Sequence, residues 1–94
     1  MQENDPLSNN IGKMLKSYRR RTGLTGTELA KRINVSQQQI SRYENGVNNI
    51  TFDKLMILFN ALEMNRYDID IFFEQIKCFA DPYEHGNSKT GNSI

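Results

Sequence analysis

The sequence has little of the chemistry on which secreted, membrane-spanning and catalytic proteins depend. It holds one cysteine, Cys78, and one histidine among its 94 residues, and it has no tryptophan. A single cysteine cannot close an internal disulfide, which fits a reducing compartment, and Cys78 is expected to be a small core residue. The longest apolar run, LMILF at 55–59, is far shorter than a membrane span, and the first fifteen residues lack the apolar stretch of a signal peptide. We therefore expect a cytoplasmic protein without a membrane segment.

The sequence also lacks the motifs on which most catalytic sites are built. It contains no G-x-S-x-G elbow, no P-loop and no group of histidine, cysteine and acidic residues at metal-ligand spacing. The single histidine, His85, falls in a polar segment with two Gly-Asn-Ser triplets, residues 81–94, which is predicted to be disordered. We therefore expect no enzymatic activity, no bound metal and no cofactor.

The charged residues are unevenly divided along the chain, although the formal net charge is only +1. Residues 1–60 hold nine basic and five acidic side chains, for a net charge of +4, whereas residues 61–94 hold three basic and six acidic ones, for −3. A basic surface attracts polyanions and an acidic surface repels them. We expect the first part of the molecule, and not the second, to face nucleic acid.

The spacing of apolar residues predicts an all-α fold of five helices. The predicted helices cover about residues 10–22, 26–33, 37–45, 52–62 and 68–79. The fourth helix is apolar over most of its surface, which puts it at the centre of the predicted core. The last segment alternates from Tyr67 to Ile71 as a strand does, but from Ile69 to Ile76 its apolar residues also step i, i+3, i+4, i+7, which favours a helix. The predicted domain spans residues 10–80, after a flexible arm at 1–9.

The second and third predicted helices are short and are joined by a tight turn. Thr25 and Glu28 form the pattern of a capping box at the start of one helix, and Ser36 can cap the other. Asn34 lies where the chain must turn sharply, and asparagine tolerates the left-handed conformation better than most residues. The small Ala30 permits the two helices to cross closely. Two such helices form a helix-turn-helix, which in DNA-binding proteins places its second helix in the major groove.

The stretch LTGTELAKRINVSQQQISRYENG closely resembles the bacteriophage-repressor and Cro-like (XRE-type) helix-turn-helix family. The resemblance covers about residues 11–62 and implies a lambda-repressor-like fold and a DNA-binding transcriptional regulator. Within that family, SQQQISRYE at 36–44 is most similar to regulators encoded inside fimbrial operons of enteric bacteria, which repress motility while fimbriae are made. The chain departs from the family pattern at Gly26, where a glutamine is usual, and at Asn34, where a glycine is usual.

The exposed face of the third helix is predicted to read DNA bases. Val35, Ile40 and Tyr43 should face the core, so the residues on the opposite side are open to a ligand. The predicted base contacts are Gln37, Gln38, Ser41 and Arg42. Glutamine can bond adenine, and arginine can bond guanine, each through two hydrogen bonds in the major groove. A solvated polar face without a ligand is the alternative.

Phosphate contacts are predicted around these residues, because loop amides, helix N-termini and basic side chains commonly bind the DNA backbone. They comprise Arg20, Gly26, Thr27, Gln39, Asn45, Asn48, Asn49, Thr51 and Lys54. Since glycine has no side chain, the phosphate contact at the start of the second helix would be made by the backbone N–H groups of Gly26 and Thr27. The resemblance also implies a structural ion pair between Arg19 and Glu44, which would fix the recognition helix against the first helix.

A homodimer is expected, because one helix-turn-helix gives limited specific affinity and such proteins bind two half-sites about 34 Å apart. The predicted interface lies on the fifth helix, whose apolar residues exceed what docking on so small a core requires. It comprises Ile69, Phe72, Phe73, Ile76 and Phe79. The alternative is that these residues close the core of the monomer.

Three functions remain open from the sequence. The first is a transcriptional regulator, expected to be a repressor, that occupies double-stranded DNA at a promoter as a homodimer. The second is an antitoxin that binds both its own operator and a toxin protein. The third is a helical protein-interaction module without DNA binding, against which the intact Gln-Gln-x-x-Ser-Arg face argues.

Overall fold

The computed structural model describes residues 6–47 and 49–80, which form five α-helices. They are α1 (Pro6–Thr22), α2 (Gly26–Ile33), α3 (Gln37–Glu44), α4 (Phe52–Ala61) and α5 (Arg66–Ala80). α2 packs against α3 and α4, and α1 packs against α3 and α5. The described residues contain no strand, so the predicted all-α class is confirmed. In this part of the chain no helix is long and apolar enough to cross a membrane.

α1 begins at Pro6, earlier than the predicted residue 10. Proline suits the first position of a helix, where its missing N–H would have had no partner. A residue distant in the sequence also contacts the first turn, because Ser8 Oγ donates a hydrogen bond to Asn49 Oδ1 at 3.3 Å. Residues 6–9 of the predicted flexible arm are therefore helical. Residues 1–5 and the predicted disordered tail at 81–94 lie outside the described residues.

The core lies where the five helices meet. Its buried apolar residues are Leu15, Leu29, Ala30, Ile33, Ile40, Tyr43, Leu55, Leu58, Phe59, Leu62, Met64 and Phe72. The ring of Phe59 lies edge-on to those of Phe72 and Phe73, with centroids 5.0 and 5.7 Å apart. Aromatic pairs prefer this geometry and gain from it beyond the area they bury. This aromatic contact joins α4 to α5.

α4 is less central than its composition predicts. Leu55, Leu58 and Phe59 are buried as expected, but Phe52 is 65% exposed and Met56 is 41% exposed. A helix at the edge of a small core buries one stripe, so its other apolar residues remain in solvent whatever their hydrophobicity. The prediction that the largely apolar α4 lies at the centre of the core therefore holds for one side of the helix and is wrong for the side that carries Phe52 and Met56.

α5 begins at Arg66, two residues before the predicted start, because a cap closes its first turn. Asp68 N donates to Asn65 Oδ1 at 2.8 Å, and Asn65 N donates to Asp68 Oδ2 at 3.2 Å. Asp68 also pairs with Arg21 of α1 at 3.1 Å, and the Arg21 guanidinium lies 4.5 Å from the centre of the Tyr18 ring. The preference for a helix over a strand in this segment is confirmed.

Candidate nucleic-acid interface

The turn between α2 and α3 is shaped by hydrogen bonds at each helix end. Glu28 N donates to Thr25 Oγ1 at 3.1 Å, and Thr25 N donates to Glu28 Oε1 at 2.8 Å, which completes the predicted capping box. Asn34 ends α2 in the left-handed conformation, at φ 60° and ψ 48°. Ser36 Oγ then accepts from Gln39 N at 3.1 Å at the start of α3. The predicted helix-turn-helix geometry is confirmed, with Asn34 serving where the family usually has glycine.

α3 has one buried and one exposed side. Ile40 and Tyr43 are buried in the core. Gln37, Gln38 and Arg42, three of the four predicted base contacts, are exposed. These three side chains share the side of the helix that faces away from the core. One ligand that extends along α3 can therefore contact all three.

The fourth predicted base contact, Ser41, is less open than the others. It is half-buried, and its Oγ accepts a hydrogen bond from Asn45 Nδ2 at 3.4 Å. The hydroxyl keeps its own proton for donation to a base or a phosphate. Gln39, predicted to touch the backbone, is also half-buried, at the side of the helix. Asn45 caps the end of α3.

The start of α2 lies directly beside the start of α3. Gly26 is half-buried and Thr27 is exposed. A Cβ atom built on Gly26 would lie 3.7 Å from Gln37 Nε2 and 3.9 Å from Ile40 Cγ2. The structure therefore brings the predicted backbone phosphate contact next to the first predicted base contact.

The loop between α3 and α4 carries a second group of predicted phosphate contacts. Asn49 is exposed and accepts the hydrogen bond from Ser8. Thr51 caps α4, with its Oγ1 accepting from Lys54 N at 3.2 Å, and the Lys54 side chain is half-buried. Asn48 lies outside the described residues. The loop follows directly on the end of α3.

The predicted ion pair between Arg19 and Glu44 is confirmed. Arg19 Nε donates to Glu44 Oε2 at 2.6 Å, and Arg19 Nη2 donates to Glu44 Oε1 at 3.0 Å. The third guanidinium contact, from Nη1 to the carbonyl oxygen of Leu24, is 2.9 Å. The hydrogen bond to Glu44 raises the pKa of Arg19 above its usual value, although burial acts to lower it. This two-pronged pair joins α1 to the end of α3.

The two arginines that follow Arg19 point to different surroundings. Arg20, a predicted phosphate contact, is exposed at the last turn of α1. Arg21 is bound to Asp68, and this hydrogen bond, together with the one from the backbone of Asn65, holds the pKa of the Asp68 carboxyl below its usual value. The run of three basic residues therefore offers the Arg20 side chain to solvent and directs the other two into contacts within the protein.

Two glycines hold α3 against α1, a role that sequence reasoning did not assign to either of them. A Cβ on Gly12 would lie 2.5 Å from the carbonyl oxygen of Tyr43 and would also clash with that of Glu44. Gly46 adopts φ +73°, and a Cβ there would lie 2.7 Å from Asn9 Cα. A glycine inside a predicted helix, as Gly12 is, was the available sign of this close approach.

The predicted dimer interface on α5 needs a correction. The Phe72 side chain is fully buried, at 0% exposure, where it contacts Phe59, so it cannot also meet a second subunit. Ile69, Phe73 and Ile76 are half-buried and pack against the core. The side chain of Phe79 lies outside the described residues. The alternative reading, that α5 closes the monomer core, holds for Phe72.

No metal or redox site is evident in the described part of the chain. Within residues 6–47 and 49–80, no group of three or more histidine, cysteine or acidic residues could hold a metal ion. Cys78 is exposed, so the prediction that it is a core residue is wrong. It lies six residues after the buried Phe72, which places it on a different side of α5.

Comparison with models of known protein families shows to which family the chain belongs. A family model described as helix-turn-helix matches residues 15–68, which is more than half of the chain. The chain belongs to the helix-turn-helix family. The match spans both members of the Arg19–Glu44 pair and all of α2, α3 and α4. The family and fold of this helix-turn-helix protein are those of DNA-binding transcriptional regulators of the XRE type, not of enzymes.

Individual relatives agree with this family. The helix-turn-helix protein is 39% identical over 67 residues to an uncharacterized HTH-type transcriptional regulator of Rickettsia conorii, covering 71% of this chain and 51% of the relative. It is 34% identical over 59 residues to antitoxin PezA of Streptococcus pneumoniae serotype 4, covering 63% of this chain and 37% of that protein. The chain thus spans about half or less of the length of the curated relatives it matches.

A solved structure shares the fold. The restriction-modification controller protein C.Esp1396I, as a tetramer in complex with its natural 35 base-pair operator, matches with a TM-score of 0.65 and 26% identity. The match covers 78% of this chain and 92% of that chain.

Proposed function

We propose that this helix-turn-helix protein is a sequence-specific DNA-binding transcriptional regulator that represses its target promoter as a homodimer. The observation that carries the proposal is the exposed side of α3, with Gln37, Gln38 and Arg42 on a helix that the Arg19–Glu44 pair holds against α1. The operator complex of C.Esp1396I supports DNA as the ligand of this fold.

In the proposed complex, the N-terminal part of α3 enters the major groove. Gln37 and Gln38 offer amide groups to adenine, and Arg42 offers its guanidinium to guanine or a phosphate. Exposed Arg20 and the Lys54 amine would bind phosphates on either side and supply affinity that does not depend on sequence. A regulator seated there excludes other proteins from the promoter, which is the simplest route to repression. Such a protein is expected in the cytoplasm.

The homodimer is proposed to form through α4 and α5. Phe52 and Met56 are exposed one turn apart on α4, and Met56 is one turn before Phe59. Phe59 contacts Phe73 of α5, so the exposed side of α4 borders the half-buried side of α5. Phe52 and Met56 thus extend the part of the predicted interface that α5 still offers, with Ile69, Phe73 and Ile76. In a two-fold symmetric dimer, the same apolar surface of each subunit would be buried against that of the other.

The proposed function is tested by selecting bound sequences from a pool of random duplex DNA. The full chain should enrich one sequence with two-fold symmetry, and fluorescence anisotropy at fixed salt should then show tighter binding to it than to random duplex. Gln38→Ala should reduce that difference, whereas Gln75→Ala, an exposed glutamine on α5, should not. If the wild-type chain enriches no sequence, the proposal is wrong.

The narrower regulon is also a proposal. The resemblance of residues 36–44 to fimbrial-operon regulators favours genes of fimbriae and motility as targets. The test is to overproduce the protein in its own host and measure the transcripts of motility genes. Unchanged transcripts, with the protein bound elsewhere on the chromosome, would exclude this regulon and leave DNA binding intact.

A second candidate function is an antitoxin that represses its own operon. The similarity to PezA over 59 residues favours it. An antitoxin binds a toxin protein, so a neighbouring gene should be toxic when expressed alone and harmless when expressed with this chain. If no neighbouring gene behaves in this way, the toxin partner is excluded. The third candidate, a protein-interaction module, would bind neither selected nor random DNA.

A further inference from the structure

The first turn of α1 packs against the loop that follows α3. A Cβ atom built on Gly46 would lie 2.7 Å from Asn9 Cα and 3.0 Å from the carbonyl carbon of Ser8, so the two backbones are in close contact. Ser8 Oγ also donates a hydrogen bond to Asn49 Oδ1 at 3.3 Å, across 41 positions of the sequence. Ser8 precedes residue 15, at which the match to the helix-turn-helix family begins. The hydrogen bond is therefore a feature of this chain that the family match does not include.

This hydrogen bond determines which end of the Asn49 amide is available to a ligand. The amide carries an acceptor, Oδ1, and two N–H donors on Nδ2. Ser8 contacts the acceptor, whereas the Nδ2 donors make no hydrogen bond within the described residues, and the residue is exposed. Phosphate oxygens accept hydrogen bonds and do not donate them, so the amide must turn its donors towards a phosphate to bind it. The orientation that Ser8 favours is thus the one that suits a phosphate.

We infer that Ser8 is a positioning residue for DNA binding, and that it holds the Asn49 amide with its two N–H donors towards a phosphate of the DNA backbone. The inference rests on the proposed function, for which Asn49 is one of the predicted phosphate contacts. A contact that restricts a loop side chain before binding lowers the entropy that binding costs. Phosphate contacts position a protein on the duplex without reading its sequence. Ser8 should therefore add affinity for all DNA and leave the base preference unaltered.

The test compares residues with and without a hydroxyl group at position 8. Ser8→Ala removes the hydroxyl, and Ser8→Thr keeps it. Ser17→Ala is the matched control, because Ser17 is an exposed serine of α1 that lies nine residues later, on the opposite side of the helix. Alanine favours helix more than serine does, so Ser8→Ala should not unfold α1, and circular dichroism checks the folding of every variant. Fluorescence anisotropy then measures binding to the selected operator and to random duplex DNA at several salt concentrations.

We expect Ser8→Ala to weaken binding to both kinds of DNA by about 2- to 10-fold, the range of one ordinary hydrogen bond. Ser8→Thr and Ser17→Ala should bind as the wild-type chain does. Asn49→Ala should weaken binding at least as much as Ser8→Ala, and the double variant should lose no more than Asn49→Ala alone, because Ser8 acts through Asn49. The slope of log K against log salt should stay unchanged in all of these variants, because a neutral amide neutralises no phosphate charge.

The double variant separates positioning from a purely structural role of Ser8. If Ser8→Ala weakens binding by the same factor with asparagine or alanine at position 49, Ser8 does not act through Asn49 and the inference is wrong. It is also wrong if Ser8→Ala binds as tightly as the wild-type chain, if Ser8→Thr fails to restore binding, or if Ser8→Ala selects a different DNA sequence. In these cases the regulator function stands as long as the wild-type chain selects a sequence. A wild-type chain that binds no duplex at all would overturn both the inference and the proposed function.

Discussion

Removing the charge of Glu44 should be one of the most damaging single changes in this protein. The Arg19 and Glu44 side chains are only 13% and 8% exposed, and two hydrogen bonds join them. Glu44→Gln keeps the size of the side chain but leaves the Arg19 charge unpaired in a site that is largely closed to solvent. Breaking one partner of a buried pair costs about 3 to 5 kcal/mol. We expect the lower end, about 3 kcal/mol, because Arg19 keeps its bond to the Leu24 carbonyl.

The measurement is urea unfolding followed by circular dichroism, with thermal unfolding in parallel. For a domain of this size, a loss of 3 kcal/mol corresponds to a fall in Tm of roughly 12 to 24 °C. Glu63→Gln is the matched control, since the Arg32–Glu63 pair is 3.2 Å long but its side chains are 43% and 65% exposed. An exposed pair contributes at most about 1 kcal/mol.

A double variant tests the physical reason. Arg19→Met together with Glu44→Met leaves no unpaired charge and keeps apolar volume, so it should recover much of the stability that Glu44→Gln loses. If Glu44→Gln lowers the free energy of unfolding no more than Glu63→Gln does, the Arg19–Glu44 pair does not stabilise the fold as its buried geometry indicates. The same conclusion would follow if the double variant were as unstable as the sum of its two single changes.

Four further results are expected. Gln38→Ala should weaken operator binding by about 1 to 3 kcal/mol and leave binding to random DNA nearly unchanged in anisotropy titrations. Arg20→Ala or Lys54→Ala should weaken binding to all sequences and lower the slope of log K against log salt by about one unit each. Phe52→Asp should give a folded monomer by sedimentation, since this side chain is exposed within the subunit; a dimer would exclude the proposed interface. Asp68 has a lowered pKa, so its contribution to stability is present above the unfolded-state pKa of about 3.9 and is lost as pH falls through the lower folded-state value. Asp68→Asn should therefore flatten the fall in Tm with acid, and an unchanged profile would contradict this assignment.

Local interactions are what sequence reasoning predicted well here. The capping box of Thr25 and Glu28 and the left-handed Asn34 involve residues at most three or four apart, so their residue types suffice to predict them. The Arg19–Glu44 pair spans 25 positions and was reached only through the family resemblance. Spacing within either helix contains no information about that partner.

Errors arose where the outcome depends on how helices meet. An apolar stripe predicts that α5 packs on something, but it does not distinguish the Phe72 ring in the core from a side chain on a dimer surface. For the same reason the apolar surface of α4 predicted a helix at the centre of the core, whereas its Phe52 lies outside. The role of Gly12 depends on two backbones coming together, which no property of α1 by itself reveals.

The close contact of α1 with the end of α3 has a mechanical consequence for the proposed DNA complex. The end of α3 is held at Gly12 and through Arg19, and Gly46 just beyond it lies against Asn9. In the turn before α3, Val35 N donates a hydrogen bond to the carbonyl oxygen of Ala30 in α2. In the proposed complex these contacts oppose a tilt of α3 that would suit an imperfect groove. Two half-sites that do not match the spacing of the subunits can be reached only if the duplex bends or twists. Base pairs that the protein never touches would then influence operator choice through the stiffness of the DNA between the half-sites.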